Sequence, residues 1–159
     1  CGGGKTTYAD LLSLVYPCNV FRADDYFLPP EMRTPERLSS PGGNMHRERL
    51  LKEILIPLGK GGDVTYRRFN CSDFTYSQPI HVKYCPLNII EGSYCLHPDL
   101  ERFYDLRIFA DIDPETQIER IEKRNGKELA KKFSAVWIPL EEKYFKEYSV
   151  KSKCDIVVS

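Results

Sequence analysis

The sequence predicts an α/β domain whose parallel β-sheet is covered by helices on both faces. Short apolar segments alternate with segments of helical periodicity along the chain, which is typical of this fold class. The 159 residues suit one domain. Because 42% of them are apolar, the chain can bury a hydrophobic core. We therefore expect residues 1–159 to form a single domain, without repeats or linkers.

The first half of the chain is predicted to contain two helices, two strands and two loops. These elements are a helix over 5–14, a strand over 19–23, a loop over 28–44, a helix over 45–58, a strand over 64–66 and a loop over 67–79. The loop over 28–44 contains four prolines and two glycines. A loop of this length in a compact domain usually has a function or is mobile.

The second half is predicted to contain three strands and two helices. These are strands over 87–90, 106–112 and 154–158, and helices over 114–124 and 127–148. Asp113 and Pro114 provide an N-cap and a first-turn proline for the first of these helices. Asn125 and Gly126 end it, and Pro139 is expected to kink the second.

The chain begins with the end of a phosphate-binding loop. Gly4, Lys5 and Thr6 match the last three positions of the pattern G-x-x-x-x-G-K-[ST], directly before a helix. Residues 2–7 are therefore expected to bind the phosphates of ATP, namely Gly2, Gly3, Gly4, Lys5, Thr6 and Thr7. The alternative is a flexible glycine-rich terminus. A strand ending in a glycine is expected before Cys1, and without it the chain should neither fold stably nor bind ATP.

Two sets of carboxylates follow predicted strands, where the ligands of parallel sheets bind. Asp24 and Asp25 come directly after the strand over 19–23. One of them could accept a proton from an attacking hydroxyl or hold Mg²⁺ through water. Glu91 ends the apolar strand over 87–90 and could help to hold the metal, with Thr6 as a further ligand. The alternatives are carboxylates that cap a turn and a solvated strand end.

Arg120 and Arg124 lie four residues apart, so they share one face of the predicted helix. Two guanidinium groups aimed at one point suit a phosphoryl group that gains charge during transfer. An exposed surface of charge pairs with Glu119 and Glu122 is the alternative.

Composition excludes several classes of partner. Lysine plus arginine equals aspartate plus glutamate, 23 each, so nucleic acid is not expected as a partner. No apolar run approaches the ~18 residues that span a bilayer, so no membrane partner is expected. The six cysteines are scattered without C-x-x-C pairs, and we expect reduced thiols in a cytoplasmic protein.

In this order the features resemble the uridine kinase and phosphoribulokinase-like branch of P-loop kinases, in particular small bacterial uridine kinase-like proteins. The resemblance covers essentially the whole chain. Its most specific stretches are DDYFLPPEMRTPERLSSPGGN, NIIEGSYCLHP and RIEKRNG. It implies a three-layer P-loop NTPase fold with a lid segment. It also implies transfer of the γ-phosphate of ATP to a hydroxyl, with Mg²⁺.

The resemblance also implies roles for individual residues. Asp24 matches the family's catalytic base, Glu91 its Glu-Gly glutamate, and Arg120 and Arg124 the arginines of its mobile lid. Lys5 would act with these arginines on the transferring phosphoryl group. The acceptor would contact five residues by this resemblance, namely Phe27, Asn44, His46, Phe69 and Asn70.

The chain departs from the family where the acceptor binds. His46 replaces the aspartate of the usual N-F-D-H-P element, and Phe69-Asn70 replaces the usual Tyr-Asp. Ile121 stands where a second lid arginine is usual. The acceptor is therefore expected to be a uridine-like nucleoside or a related metabolite. A metabolite with its own phosphate would suit the arginines around the long loop, namely Arg33, Arg37, Arg47 and Arg49.

Three functional hypotheses remain at this stage. The first is a cytoplasmic kinase for a small molecule. The second is a regulator that binds ATP without transferring phosphate, and the third is a nucleotide hydrolase without an acceptor. A homo-oligomer fits any of them, because related kinases are often dimers or tetramers.

Overall fold

The computed structural model describes residues 1–159 and contains eight strands and eight α-helical segments. The strands are β1 (Asn19–Arg22), β2 (Val64–Tyr66), β3 (Phe69–Asn70), β4 (Thr75–Tyr76), β5 (Ile80–Val82), β6 (Asn88–Glu91), β7 (Ile108–Ala110) and β8 (Ile156–Val158). The helices are α1 (Lys5–Val15), α2 (Pro35–Ser39), α3 (Arg47–Leu50), α4 (Ile56–Gly59), α5 (Pro114–Asn125), α6 (Lys127–Lys132), α7 (Ile138–Glu147) and α8 (Val150–Lys153).

The parallel strands form two separate pairs rather than one continuous sheet. β1 pairs with β6, with Asn19 opposite Asn88 and Arg22 opposite Glu91. β7 pairs with β8 in the same parallel sense. An apolar cavity of about 480 Å³ lies between β6 and β7, lined by both strands. The prediction of parallel strands with helices is confirmed, whereas no backbone hydrogen bonds join the two pairs.

The helical cover of the strands is uneven. Ile108 of β7 and Ile156 and Val157 of β8 are more than 40% exposed. By contrast, Phe21 of β1 is fully buried. In this chain, therefore, the predicted cover on both faces is not complete for the β7–β8 pair.

The hydrophobic core lies beside β1, under the helix that follows the long loop. Its fully buried members include Phe21, Tyr26, Leu50, Ile54 and Tyr144. Aromatic rings meet edge to face, as in the Phe21–Tyr66 pair, whose centroids are 5.7 Å apart. This packing fixes the turn after β1, which carries the two aspartates.

Two segments predicted as loops contain regular structure. The segment over 67–79 holds a short antiparallel hairpin of β3 and β4, with Phe69 opposite Tyr76. The segment over 28–44 holds a 3₁₀ turn (Pro30–Met32) and helix α2, whose Thr34 side chain accepts a hydrogen bond from the Arg37 amide. Both predictions were wrong because such short elements show no clear hydrophobic period.

The two longer helices contain π-helical turns that periodicity did not predict. The predicted helix over 45–58 begins instead at Arg47, because His46 caps it, and a π turn (Leu51–Leu55) joins α3 to α4. A second π turn (Phe133–Trp137) joins α6 to α7. The irregularity predicted at Pro139 therefore lies before that proline, which occupies the first turn of α7 and needs no hydrogen-bond partner for its nitrogen. None of the helices has the length and apolar character needed to cross a membrane.

Candidate active site

The glycine-rich loop leads into an uncapped helix N-terminus. Gly4 adopts a left-handed conformation (φ 79°) directly before α1, and no side chain caps this end of the helix. The first turn of α1 also contains no acidic residue. The free amides and the positive end of the helix dipole are therefore available to an anion.

A close backbone contact brings the ends of β1 and β6 together. Gly92 has φ 150°, and a Cβ atom on it would lie 2.4 Å from the Cβ of Ala23. Only glycine permits this approach. As a result, Glu91 lies beside the 3₁₀ turn (Ala23–Tyr26) that carries Asp24 and Asp25.

Glu91 contacts the segment that follows the glycine-rich loop through Thr6. The Thr6 hydroxyl donates a hydrogen bond to it, with Oγ1 and Oε1 3.1 Å apart. Arg22 lies further away, with its Nε 3.9 Å from Oε1. Burial raises the pKa of Glu91, and the negative charge of Asp24 raises it further. The cations of Lys5 and Arg22 oppose this rise in the pKa of Glu91.

Asp24 and Asp25 differ in their surroundings. Asp24 is exposed and lines the same cavity as Lys5, Thr6 and Glu91. Asp25 is turned away from that cavity and pairs with Arg68 at 3.4 Å. Burial raises the pKa of Asp25, and Arg68 opposes this rise. Of the two, only Asp24 lines the cavity.

The arginines of α5 lie on the other side of the loop. Ile121 of α5 is fully buried, whereas Arg120 and Arg124 are exposed. Arg120 donates to the Gly2 carbonyl, with Nη1 and O 3.5 Å apart. Arg124 contacts only Asn125 among side chains, at 2.8 Å. Both guanidinium groups are exposed and keep donors available for a phosphate.

These groups share one cavity of about 770 Å³. This volume is in the range of sites that bind small molecules and cofactors. The predicted site residues that line it are Gly2, Gly3, Gly4, Lys5, Thr6, Thr7, Asp24, Phe27, Asn44, Glu91, Arg120 and Arg124.

Three predicted acceptor residues lie outside this cavity, namely His46, Phe69 and Asn70. The His46 ring caps α3, accepting from the Arg49 amide at 3.4 Å, and its Nδ1 lies 3.2 Å from Glu48. Burial lowers the pKa of His46, and Glu48 opposes this shift. Phe69 is buried in the hairpin, and Asn70 bonds the Ser72 amide at 2.9 Å.

Nine further residues line the cavity and were not predicted: Cys1, Tyr8, Leu11, Gly92, Ser93, Tyr94, Phe133, Trp137 and Glu141. Glu141 is buried and accepts hydrogen bonds from the Ser93 hydroxyl and the backbone nitrogen of Cys1. Phe133 and Trp137 form an edge-to-face pair with centroids 4.5 Å apart. Their place in a π turn is notable, because such turns are frequent at functional sites. Among these residues, Ser93 and Tyr94 belong to the stretch NIIEGSYCLHP, so the family resemblance could have indicated them.

The donor set fits a magnesium ion. No group of three or more histidine, cysteine or acidic side chains is arranged to hold a metal alone. Mg²⁺, however, is usually held by one or two carboxylates together with substrate phosphates and water. The Thr6 hydroxyl and the carboxylates of Glu91 and Asp24 are oxygen donors of this kind, around one cavity.

We expect Gly92→Ala to destabilise the protein by on the order of 2–4 kcal/mol, because it adds both backbone strain and a clash with Ala23. Urea unfolding measures this difference. Gly61→Ala is the matched control, since Gly61 also has positive φ (68°) but its nearest neighbour lies 4.0 Å away. Equal losses for the two variants would contradict the proposed close contact.

We expect Glu91→Gln to unfold at a higher temperature than the wild type at neutral pH without ligands. The folded-state pKa of Glu91 is raised, so the folded protein holds this charge less readily than the unfolded chain. The wild type therefore loses stability as pH rises from about 4 through the folded pKa, and the two proteins should match below about pH 4.

Thermal melts across this pH range test the prediction. Glu36→Gln serves as a control of opposite sign, because hydrogen bonds lower the pKa of Glu36. That variant should lose stability at neutral pH. If Glu91→Gln unfolded at a lower temperature than the wild type at pH 7, the folded protein would favour the charged form of Glu91 and the prediction would be wrong.

Comparisons with known structures agree with the fold. The chain aligns over 99% of its length with a protein from Bacillus stearothermophilus described as "a Possible Uridine Kinase", with TM-score 0.71, 18% identity and 83% of that chain covered. It aligns over 99% with a "putative fructose transport system kinase" from Silicibacter sp. TM1040, with TM-score 0.63, 19% identity and 85% of that chain covered. No protein-family model and no curated protein sequence matches it.

These likenesses define the class of fold: an α/β fold with parallel strands and helices, shared with two proteins described as kinases. The resemblance to uridine kinase-like P-loop kinases that the motifs predicted is therefore confirmed at the level of the fold. At 18 and 19% identity, these two structures share the fold with this chain.

Proposed function

We propose that the protein is an ATP-dependent kinase that transfers the γ-phosphoryl group to a hydroxyl of a small molecule. One observation carries the proposal: the phosphate loop and two carboxylates that follow strands meet around a single cavity. The contact from Thr6 to Glu91 and the position of Asp24 beside Glu91 define this meeting point.

Each group has a distinct role in the proposed reaction. The loop amides of residues 2–7 bind the phosphates, and Lys5 neutralises charge on the β- and γ-phosphates. Thr6, Glu91 and Asp24 would hold Mg²⁺, in part through water, and bound Mg²⁺ supplies charge neutralisation and orientation of the phosphates. Asp24 orients the acceptor hydroxyl and takes its proton.

The arginines and the cavity walls complete the proposal. Arg120 and Arg124 stabilise the charge that develops on the transferring group. Closure of the segment after α5 excludes water and limits loss of ATP to hydrolysis. We propose a nucleoside or sugar-like acceptor, because the two structural neighbours are described as "a Possible Uridine Kinase" and a "putative fructose transport system kinase". We also propose that the protein acts in the cytoplasm.

An acceptor screen tests the proposal. The intact protein is incubated with ATP, Mg²⁺ and separate nucleosides, sugars and sugar phosphates, and products are read by mass spectrometry. We expect a phosphorylated product from at least one alcohol. ATP binding is followed independently by the fluorescence of Trp137, the only tryptophan, which lines the cavity.

The other two hypotheses predict different results. Tight ATP binding without product from any acceptor would favour a regulator. Steady release of phosphate that no acceptor accelerates would favour a hydrolase. Either result would overturn the kinase proposal.

A further inference from the structure

Four arginines surround the proline-rich segment, and three of them are neutralised by carboxylates. Arg37 pairs with Glu48 at 2.7 Å. Arg47 pairs with Asp99 at 2.7 Å, and Arg49 pairs with Glu53 at 2.8 Å. Arg33 is the exception, because no carboxylate lies within salt-bridge distance of it. It is therefore the cation of this group that remains available to a ligand.

The position of Arg33 is fixed from two sides. Its Nε donates a hydrogen bond of 2.8 Å to the carbonyl of Leu28. Leu28 directly follows Phe27, which lines the cavity. Its guanidinium group also lies over the ring of Phe74, 5.3 Å from the centroid. Two contacts hold the guanidinium in place and leave its terminal nitrogens as donors.

Phe74 is itself held in a strained conformation. Its φ of 58° is rare for a bulky residue. It lies at the tip of the β3–β4 hairpin and stacks on Phe69, with centroids 6.5 Å apart. Strain of this kind usually persists only where the surrounding structure enforces it, and it is most frequent at functional sites. Here the hairpin holds the Phe74 ring beneath the Arg33 guanidinium group.

The hairpin also connects Arg33 to the reacting end of the site. β3 packs against the 3₁₀ turn that carries Asp24. Cys71, in the hairpin tip, lies close to both groups: burial raises the pKa of its thiol, the cation of Arg33 lowers it, and the charge of Asp24 raises it. Arg33 does not itself line the cavity of about 770 Å³, but it contacts the hairpin that packs against the turn of Asp24.

We infer that Arg33 binds an anionic group of the phosphoryl acceptor, so that the acceptor is an alcohol that already carries a phosphate or a carboxylate. The inference rests on the proposed kinase function and specifies its substrate class. A guanidinium group matches both anions with paired hydrogen bonds, whereas a neutral nucleoside offers it no charge. The His46 ring contacts Glu48 and the Arg49 amide, so we expect other residues to bind the acceptor.

Matched pairs of acceptors test the inference. Initial rates are measured for ribose against ribose 5-phosphate and for glucose against gluconate, which separates phosphate from carboxylate. We expect the intact protein to prefer one anionic member of these pairs. Arg33→Ala should raise KM for that acceptor by about 10–100-fold, the size expected for loss of a charge-assisted hydrogen bond, and change kcat by less than about 3-fold.

Two controls separate recognition from loss of structure. Arg33→Lys keeps the charge but not the paired geometry, so its KM should lie between those of wild type and Arg33→Ala. Arg102→Ala removes an exposed arginine that also lies over an aromatic ring, Phe103 at 5.1 Å, but belongs to neither the proline-rich segment nor the β3–β4 hairpin. That variant should behave as wild type.

Binding is measured alongside turnover, by calorimetry of ribose 5-phosphate and gluconate with the ATP-free protein. Phosphorylation of neutral alcohols alone would overturn the inference and leave the kinase proposal standing. Anion binding that depends on Arg33, without phosphorylation of any acceptor, would support the anion site and overturn the kinase proposal. An unchanged KM and unchanged anion binding in Arg33→Ala would overturn the inference.

Discussion

Asp24→Asn is expected to lower kcat by about 10²–10³-fold while the affinity for ATP changes by no more than a few fold. The substitution keeps the size of the side chain and removes its ability to accept a proton. Asp24 lines the cavity with Lys5 and Thr6, so the loss should fall on the chemical step. Steady-state kinetics with a saturating acceptor measures kcat, and Trp137 fluorescence measures ATP binding.

The neighbouring aspartate provides the matched control. Asp25→Asn removes the same charge one residue away, on a side chain that pairs with Arg68 rather than lining the cavity. We expect its kcat to stay within about 5-fold of wild type. If the two variants lost activity equally, Asp24 could not be assigned as the base.

Lys5→Ala is expected to lower kcat/KM by about 10³-fold, with a loss in ATP affinity as well. Lys5 begins α1 at the uncapped N-terminus and lines the cavity. It therefore adds a mobile charge to fixed amide donors, and the loss of one preorganised donor to a developing charge costs about 10²–10³-fold in kcat. The additional loss comes from weaker binding of the phosphates.

Lys83→Ala is the control for general electrostatics. Lys83 is 92% exposed and forms a surface ion pair with Asp63 at 2.7 Å. Such pairs contribute little, so its kinetics should match wild type. Full activity of Lys5→Ala would exclude the loop as the phosphate site, whatever the result for Asp24→Asn.

The parts of the site that could be predicted are those encoded by local order in the chain. Gly4, Lys5 and Thr6 form a contiguous pattern before a helix, and Asp24 and Glu91 each follow a strand. In a parallel sheet this order brings such residues to one edge. The structure indeed places these residues around one cavity.

The remainder depends on contacts that local order does not encode. Glu141 reaches Ser93 from a helix 48 residues further along the chain. Helical periodicity indicates that a face is polar, but not which element it meets. The β3–β4 hairpin also escaped prediction, because its strands are two residues each and β4 is exposed on both faces. Its part in holding Arg33 could be found only from coordinates.

The π turn over Phe133–Trp137 places a constraint on chain length that composition does not reveal. A π turn holds about one residue more than an α turn, so residues after it are rotated by roughly 100° relative to an uninterrupted helix. Phe133 and Trp137 face the cavity, whereas Tyr144 is fully buried in the core. Deletion of one residue from the π turn would leave an ordinary α turn with both faces in place, whereas insertion of a residue into α7 before Tyr144 would rotate one set away from its surroundings. The number of residues here therefore matters as much as their identity, and an insertion should be tolerated far less than in a surface loop.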